Sequence, residues 1–212
     1  PPRSNTPNPT MDSTNTNTTE RRMFLPFQAI VNFFKEPSGP KCPECASVII
    51  DDACPNLDCP LKVTEWITRW CSPEALNIPG LGQPEAEQLA KLRLVLHPGE
   101  LYGLSPGDWA RIEGVSADQL DEIQRQMEGS KSPKPSALLH GLRLPGVSAS
   151  MAKRLIEEIG SIDSLQETKP KRLQEIDGID EAMAFEVYRW FRDSVNKQAL
   201  KMLDQNGFNF TD

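Results

Sequence analysis

The stretch "NIPGLG", residues 77–82, places two glycines around one apolar residue, and three similar stretches follow it along the chain. They read "IEGVSA", "LPGVSA" and "IDGIDE", and their first glycines are Gly80, Gly114, Gly146 and Gly178, separated by 34, 32 and 32 residues. A nearly constant period of this length is typical of repeated structural units. Short helical patterns lie on both sides of each turn. The sequence therefore predicts a mainly α-helical protein built from four copies of a helical hairpin.

A turn of this kind can join two short helices and leave backbone donors accessible. We expect the first glycine to adopt a positive φ, the apolar residue to enter the core, and the third, small residue to let a ligand approach the backbone. The next amides begin the second helix, where unpaired N–H groups and the helix dipole favour an anion. A DNA phosphate fits such a site without regard to base sequence. The four turns therefore predict contacts with the DNA backbone.

The four copies differ in their third residue. The first copy has glycine there, the second and third have Ser116 and Ser148, and the fourth has Asp180, a good helix N-cap whose charge opposes a phosphate. The third copy is followed directly by two cations. We therefore expect DNA contact to be concentrated at the first and third copies. The predicted DNA-binding residues are Gly80, Leu81, Gly82, Gly114, Val115, Ser116, Gly146, Val147, Ser148, Lys153, Arg154, Gly178 and Ile179.

The flanking helices also follow a pattern. Six residues after the first glycine, three copies have an alanine, Ala86, Ala152 or Ala184, where we expect two helices to cross closely. The second copy has Leu120 instead, so its packing must differ. Residues 181–207 form the longest predicted helix, and they end in a glycine suited to a C-cap.

A compact cysteine cluster, "CPECASVIIDDACPNLDC", precedes the first turn. Two close pairs of cysteines can converge on one tetrahedral ion, and four thiolates leave no position for a water, which is typical of a structural zinc site. The segment between the pairs has the pattern of a strand. The alternative is that these are ordinary reduced thiols. The predicted zinc ligands are Cys42, Cys45, Cys54 and Cys59, whereas Cys71 lies on an apolar helical pattern and is expected in the core.

Composition and charge limit the functions and locations that the sequence allows. The 212 residues carry a net charge of -7, which argues against DNA binding by side-chain charge alone but not against binding by backbone amides. The sequence has neither a run of 18 apolar residues nor the start of a signal peptide, so we expect a cytoplasmic protein without membrane contact. Residues 1–20 are polar and predicted to be disordered. The chain begins with Pro rather than Met, and we interpret it as part of a longer reading frame.

The order of these motifs resembles a known family. The four-cysteine knob, then "CSPEALNIPGLG", three further hairpins and the ending "NGFNF" resemble the C-terminal portion of bacterial NAD-dependent DNA ligases. The resemblance implies the tail of an oligonucleotide-binding barrel with a short β element at residues 21–39, a zinc finger at 40–62, and a domain of four helix-hairpin-helix motifs at 63–212. It also implies a monomeric, nucleoid-associated protein that holds nicked or intact duplex DNA for strand joining in replication and repair.

The catalytic part of that family has no counterpart here. Its adenylated lysine lies in a Lys-x-Asp-Gly motif, and "EIDG", residues 175–178, has Glu in place of the lysine. We therefore predict no catalytic residues and no ligation by this chain alone, with NAD used only by the missing family domain. Three interpretations stay open: the DNA-binding part of a ligase, a stand-alone DNA-binding protein derived from one, or a protein-interaction scaffold that has lost DNA binding.

Overall fold

A computed structural model describes residues 39–210 of the chain. The predicted disordered tail at 1–20 and nearly all of the predicted barrel remnant at 21–39 lie outside the described residues. Within them, the predicted mainly α-helical fold is confirmed. The helices are α1 Pro60–Cys71, α2 Gln83–Lys91, a 3-10 helix Pro98–Gly103, α3 Pro106–Trp109, α4 Ala117–Gly129, α5 Pro135–Gly141, α6 Ala149–Ile159, α7 Ile162–Glu167, α8 Pro170–Leu173, α9 Glu181–Trp190 and α10 Ser194–Gln205.

The cysteine-rich knob contains a small β-hairpin. Isolated bridges join Lys41 to Val48 and Ile50 to Ala53, and the two residues between Ile50 and Ala53 have φ values of 48° and 59°. Two consecutive residues with positive φ are what a tight hairpin turn requires. The strand-like pattern between the cysteine pairs therefore corresponds to this hairpin. Helix α1 begins immediately after the last cysteine of the knob, so the predicted boundary between residues 62 and 63 falls inside a helix.

Each of the four turns precedes a helix, as predicted. Hairpin 1 is the turn 77–82 that leads into α2. Hairpin 2 joins α3 to α4, hairpin 3 joins α5 to α6, and hairpin 4 joins α8 to α9. The N-caps of the second helices are Gly82, Ser116, Ser148 and Asp180, all at the third position of the turn.

The apolar residue of each turn packs inward. Leu81, Val147 and Ile179 are buried, and Val115 is half-buried against the same core. In hairpins 1, 3 and 4 the amide of this residue donates to the carbonyl three residues earlier, at N–O distances of 3.1 Å. These side chains and amides are therefore used to close the turns. The alanine six residues after each glycine is fully buried in hairpins 1, 3 and 4, as a close crossing of two helices requires.

Hairpins 3 and 4 pack against each other in a reciprocal way. A Cβ placed on Gly146 would lie 3.5 Å from the Cε of Met183, and a Cβ placed on Gly178 would lie 3.1 Å from the Cε of Met151. Both methionines stand five residues after the glycine of their own hairpin. The two hairpins therefore form a pair in which each contributes the same residue to the turn of the other.

The expectation of a positive φ at all four first glycines is wrong for Gly80. The glycines of the other three turns have φ values of 85°, 72° and 86°, whereas the φ of Gly80 is not positive. Glycine at this position permits a close approach, because a Cβ would lie 2.9 Å from the Oε1 of Gln126 and 3.0 Å from the Cγ1 of Ile123. Both belong to α4, so hairpin 1 packs against the second helix of hairpin 2.

The predicted single helix over residues 181–207 is also wrong, because the structure divides it into α9 and α10. Asp193 lies between them in an extended conformation, and its Oδ1 accepts hydrogen bonds from the amides of Val195 at 2.9 Å and Asn196 at 3.1 Å. A side chain that caps a new helix in this way competes with continuation of the preceding one. The predicted C-terminal glycine, Gly207, has a φ of 91°, as a C-cap requires.

Candidate metal centre and nucleic-acid interface

The structure brings the four predicted metal ligands together. The sulfurs of Cys42, Cys45, Cys54 and Cys59 all lie within 4.8 Å of one another. The Cys42–Cys59 and Cys45–Cys54 sulfur pairs are 3.7 Å and 3.4 Å apart. Four sulfurs at about 2.3 Å from a tetrahedral ion are about 3.8 Å apart, so the cluster has the dimensions of a metal site. The cluster can bind a metal ion through four thiolates.

Local contacts give the cysteines different acidities. Hydrogen bonds to the side chain and then the backbone of Ser47 lower the pKa of the Cys45 thiol to about 6. Burial raises the pKa of the Cys59 thiol to about 12. A metal ion must displace the proton of any ligand that is still protonated, so its binding weakens as the pH falls.

The knob is tied to hairpin 3 through α1. The ammonium of Lys62 donates to the carbonyl of Cys54, and the carbonyl of Lys62 accepts a 3.0 Å hydrogen bond from Arg143, which lies just before the hairpin 3 turn. The guanidinium of Arg143 also lies 5.2 Å from the ring centroid of Trp66, whose Nε1 donates to the carbonyl of Gly141 at 2.9 Å. The contacts run without interruption from a cysteine loop to the turn of hairpin 3.

The amides of both glycines of hairpin 1 donate inside the protein. The amide of Gly80 donates to the Oε1 of Gln126 at 2.7 Å, and the amide of Gly82 donates to the Oε2 of Glu85 at 2.9 Å. The second residue of α2 is Pro84, which has no N–H. A carboxylate therefore occupies the position where an anion would bind.

Hairpin 2 has a similar internal cap. The amide of Ser116 donates to the Oε1 of Gln119 at 2.9 Å, and the amide of Gln119 donates back to the Oγ of Ser116 at 3.3 Å. Asp118 adds a negative charge to the first turn of α4. Gly114 is exposed and Val115 is half-buried, but the helix that follows them is acidic and opposes the approach of a phosphate.

Hairpin 3 presents free donors without a nearby acid in its first turn. The Oγ of Ser148 accepts a hydrogen bond from the amide of Met151 at 3.2 Å and lies 2.9 Å from the Oγ of Ser150. Within residues 39–210, the amides of Ser148, Ala149 and Ser150 have no acceptor. The first turn of α6 contains no acidic residue. This helix N-terminus therefore keeps the three donors that an anion would need.

Hairpin 4 has an acidic N-cap. The Oδ1 of Asp180 accepts a 2.7 Å hydrogen bond from the amide of Met183, and Glu181 follows in the first turn of α9. The exposed Gly178 is flanked on its other side by the exposed Asp177. Three carboxylates around one turn oppose the approach of a phosphate.

The two cations predicted to bind DNA from hairpin 3 have different surroundings. Lys153 is exposed and lies 3.7 Å from Glu157, one helical turn further along α6. Arg154 instead donates from Nη1 to the carbonyl oxygen of Asp177 at 2.6 Å and to its Oδ2 at 2.9 Å. Arg154 is therefore directed to hairpin 4.

Several functional contacts were not predicted from the sequence. Gln126 binds Gly80 across 46 residues, and Arg143 binds Lys62 across 81 residues. Their residue types carry no signal of a partner at that distance. The methionines at the hairpin 3–4 contact do leave a signal, because both follow their glycine by five residues.

The fold and the cysteine cluster define a class of protein: a four-cysteine knob that can hold a metal ion, followed by two pairs of helical hairpins. In agreement with this, residues 137–200, which contain hairpins 3 and 4, match the family model for the helix-hairpin-helix motif. The chain is 31% identical over 177 residues to the DNA ligase of Bacillus pumilus and 32% identical over 176 residues to that of Anoxybacillus flavithermus. It is 28% identical over 172 residues to the DNA ligase of Natronomonas pharaonis.

These matches cover 81%, 80% and 79% of this chain but only 26%, 26% and 25% of the three ligases. The chain therefore spans about a quarter of the length of the curated relatives it matches, and the matched part lies in their C-terminal portions. The predicted resemblance to the C-terminal portion of DNA ligases is thus confirmed. Among the helices of residues 39–210, none is long and apolar enough to cross a membrane.

Proposed function

We propose that this chain is the DNA-holding part of an NAD-dependent DNA ligase, which grips the backbone of nicked duplex DNA while a separate adenylation domain seals the nick. Replication and repair are the processes in which such nicks arise. The proposal is supported by the ligase relatives and the helix-hairpin-helix match. Binding through backbone amides also agrees with a net charge of -7, because this mode needs no excess of basic side chains.

The observation that carries the proposal is the free N-terminus of α6. Unpaired amides at Ser148, Ala149 and Ser150, combined with the helix dipole, form an anion site that lacks sequence preference. Hairpin 3 is therefore the principal phosphate site of our proposal. The internal caps of hairpins 1 and 2 and the acids of hairpin 4 give these three turns a smaller part in phosphate binding.

Zinc is the metal that we propose for the knob. Four soft thiolates in tetrahedral arrangement suit this ion, and a site without an open position has a structural role. The ion would hold the two cysteine loops together, and α1 starts directly at the second loop. Because Arg143 and Trp66 join α1 to hairpin 3, we expect zinc to stabilise the orientation of the phosphate site.

The experiment is a binding titration of the full 212-residue chain, loaded with zinc, on fluorescently labelled duplexes. A nicked duplex, an intact duplex of the same sequence and a nicked duplex of unrelated sequence are compared by anisotropy at about 50 mM salt and above. We expect micromolar binding that ignores base sequence, weakens with salt and is tighter for the nicked duplex. Absence of binding by the zinc-loaded chain at low salt would refute the proposal and favour a protein-interaction scaffold.

A further inference from the structure

We infer that Arg154 is a positioning residue that clamps hairpin 4 onto hairpin 3, and that it influences DNA binding through this clamp rather than by holding a phosphate. The inference rests on the proposed function for its effect on DNA, but the clamp itself is a property of the folded chain. Its basis is the pair of hydrogen bonds from one guanidinium nitrogen to Asp177, at 2.6 Å to the carbonyl oxygen and 2.9 Å to Oδ2.

The same contact occurs in the other hairpin pair, made by a neutral residue. Gln88 stands eight residues after Gly80, as Arg154 stands eight residues after Gly146. Its Nε2 donates to the carbonyl of Glu113 at 3.0 Å, and its Oε1 accepts from the amide of Glu113 at 2.7 Å. Glu113 directly precedes the glycine of hairpin 2, as Asp177 directly precedes the glycine of hairpin 4. The position is therefore a repeated clamp between consecutive hairpins, and its charge is not needed.

The geometry of Gly178 supports a fixed place for the guanidinium. A Cβ on this glycine would lie 3.2 Å from the Nη1 of Arg154 and 3.1 Å from Met151. The turn of hairpin 4 thus packs directly against two residues of α6. Absence of a side chain at this position lets the guanidinium reach the main chain of the turn.

The main-chain hydrogen bond carries the clamp. The side chain of Asp177 is 95% exposed and that of Arg154 is 44% exposed, so water and salt screen their ion pair and reduce its contribution. The bond to the carbonyl does not depend on the acid. Glutamine can make the same bond, as Gln88 does, whereas alanine cannot.

The clamp matters for the phosphate site because both lie on α6. The free amides at the start of α6 must face the DNA in a fixed orientation. Besides α5 and α7, the turn of hairpin 4 packs against this helix, through Met151 and Arg154. A helix held in its binding orientation before the DNA arrives loses less conformational freedom on binding. Loss of the clamp therefore weakens binding without removing any contact to DNA.

The test compares three variants of the full chain: Arg154→Ala, Arg154→Gln and Lys153→Gln. We expect Arg154→Ala to bind the duplex about tenfold more weakly, and Arg154→Gln to restore affinity to within about threefold of the wild type. The slope of log K against log salt should be unchanged in Arg154→Gln. Lys153→Gln removes a neighbouring charge outside the clamp and measures the effect of one lost cation. An affinity of Arg154→Gln as low as that of Arg154→Ala, with a slope smaller by about 0.9, would show a phosphate contact instead.

A second readout needs no DNA and separates failure of the clamp from failure of the proposed function. Amide hydrogen exchange is measured at Ile179, whose N–H donates to Ile176 within the hairpin 4 turn. Arg154→Ala should speed this exchange about tenfold, and Arg154→Gln should leave it near the wild-type rate. Equal exchange rates of the Ile179 amide in the wild type and in Arg154→Ala would overturn the inference of a clamp, whatever the DNA measurements give.

Discussion

Replacing Ser148 with Asp adds one negative charge to the proposed phosphate site with little change in the fold. Asp180 occupies the corresponding position of hairpin 4, where its side chain accepts a hydrogen bond from the amide three residues later, as Ser148 does in hairpin 3. Serine and aspartate are nearly equal as N-caps. We therefore expect the free energy of unfolding of Ser148→Asp, measured in urea, to equal that of the wild type to within a few tenths of a kcal/mol.

The effect on DNA follows from Coulomb's law. A phosphate hydrogen-bonded to the first amides of α6 would lie about 6 Å from the new carboxylate, which gives a repulsion of about 0.7 kcal/mol in bulk water. At an effective dielectric constant of about 20, typical of a protein surface, the repulsion is about 2.8 kcal/mol. The expected loss of affinity therefore lies between about threefold and about a hundredfold. It should shrink as salt rises, because the Debye length falls to about 10 Å at 0.1 M.

Fluorescence anisotropy with a labelled nicked duplex measures this loss across a salt series. The matched control is Asp180→Ser, which makes the opposite change in hairpin 4. It should bind at least as tightly as the wild type, because it removes a charge that repels DNA. The reasoning is refuted if Ser148→Asp folds normally and binds DNA as tightly as the wild type at low salt.

Three further predictions concern the metal, a helix boundary and a buried histidine. The purified, reduced chain should hold one zinc ion by atomic absorption, and Cys54→Ser should lower both zinc content and thermal stability; a zinc-free wild type under zinc-replete conditions would contradict the site. Asp193→Ala should lower the free energy of unfolding in urea by about 1 kcal/mol, because α10 loses its N-cap; an unchanged value would contradict the cap. Burial lowers the pKa of His97 to about 4, so the unfolded chain, with a pKa of about 6.5, binds more protons between these pH values. The free energy of unfolding should fall by up to about 3 kcal/mol as the pH drops from about 6.5 to 4, and His97→Asn should remove this contribution. Identical pH profiles of stability for the wild type and His97→Asn would exclude a contribution from His97.

Local patterns in the sequence predicted much of the fold. The period of the glycines located the four turns, because a turn between short helices is determined by a few adjacent residues. The spacing of the cysteines likewise predicted the cluster, since two short loops can converge on one ion. The division of the predicted helix at Asp193 shows where such local patterns fail. Residues 181–207 contain no glycine or proline before Gly207, and the helix is divided only by a side-chain cap, which leaves a short pattern in the sequence.

Contacts between hairpins were beyond prediction from one sequence. The four turns differ in their third residue, and hairpin 1, which has glycine there, is predicted to be a main DNA contact. In the structure the amides of Gly80 and Gly82 donate to Gln126 and Glu85, the first of which lies 46 residues away. Arg154, expected to bind DNA, contacts Asp177 because hairpins 3 and 4 form a pair. The pairing of the hairpins determines the partners of Gly80 and Arg154, and sequence spacing within one hairpin does not contain that information. The partners of Gly82 and Ser116 are instead local, because each amide donates to a side chain three residues later.

The most direct test of phosphate binding at hairpin 3 is an NMR titration of the zinc-loaded, 15N-labelled chain with a short nicked duplex. Amide signals report each donor separately. We predict that the largest amide shifts occur at Ser148, Ala149 and Ser150, with small shifts at Gly80 and Gly82. Large shifts at the two hairpin 1 glycines, with unchanged signals at the start of α6, would contradict the account.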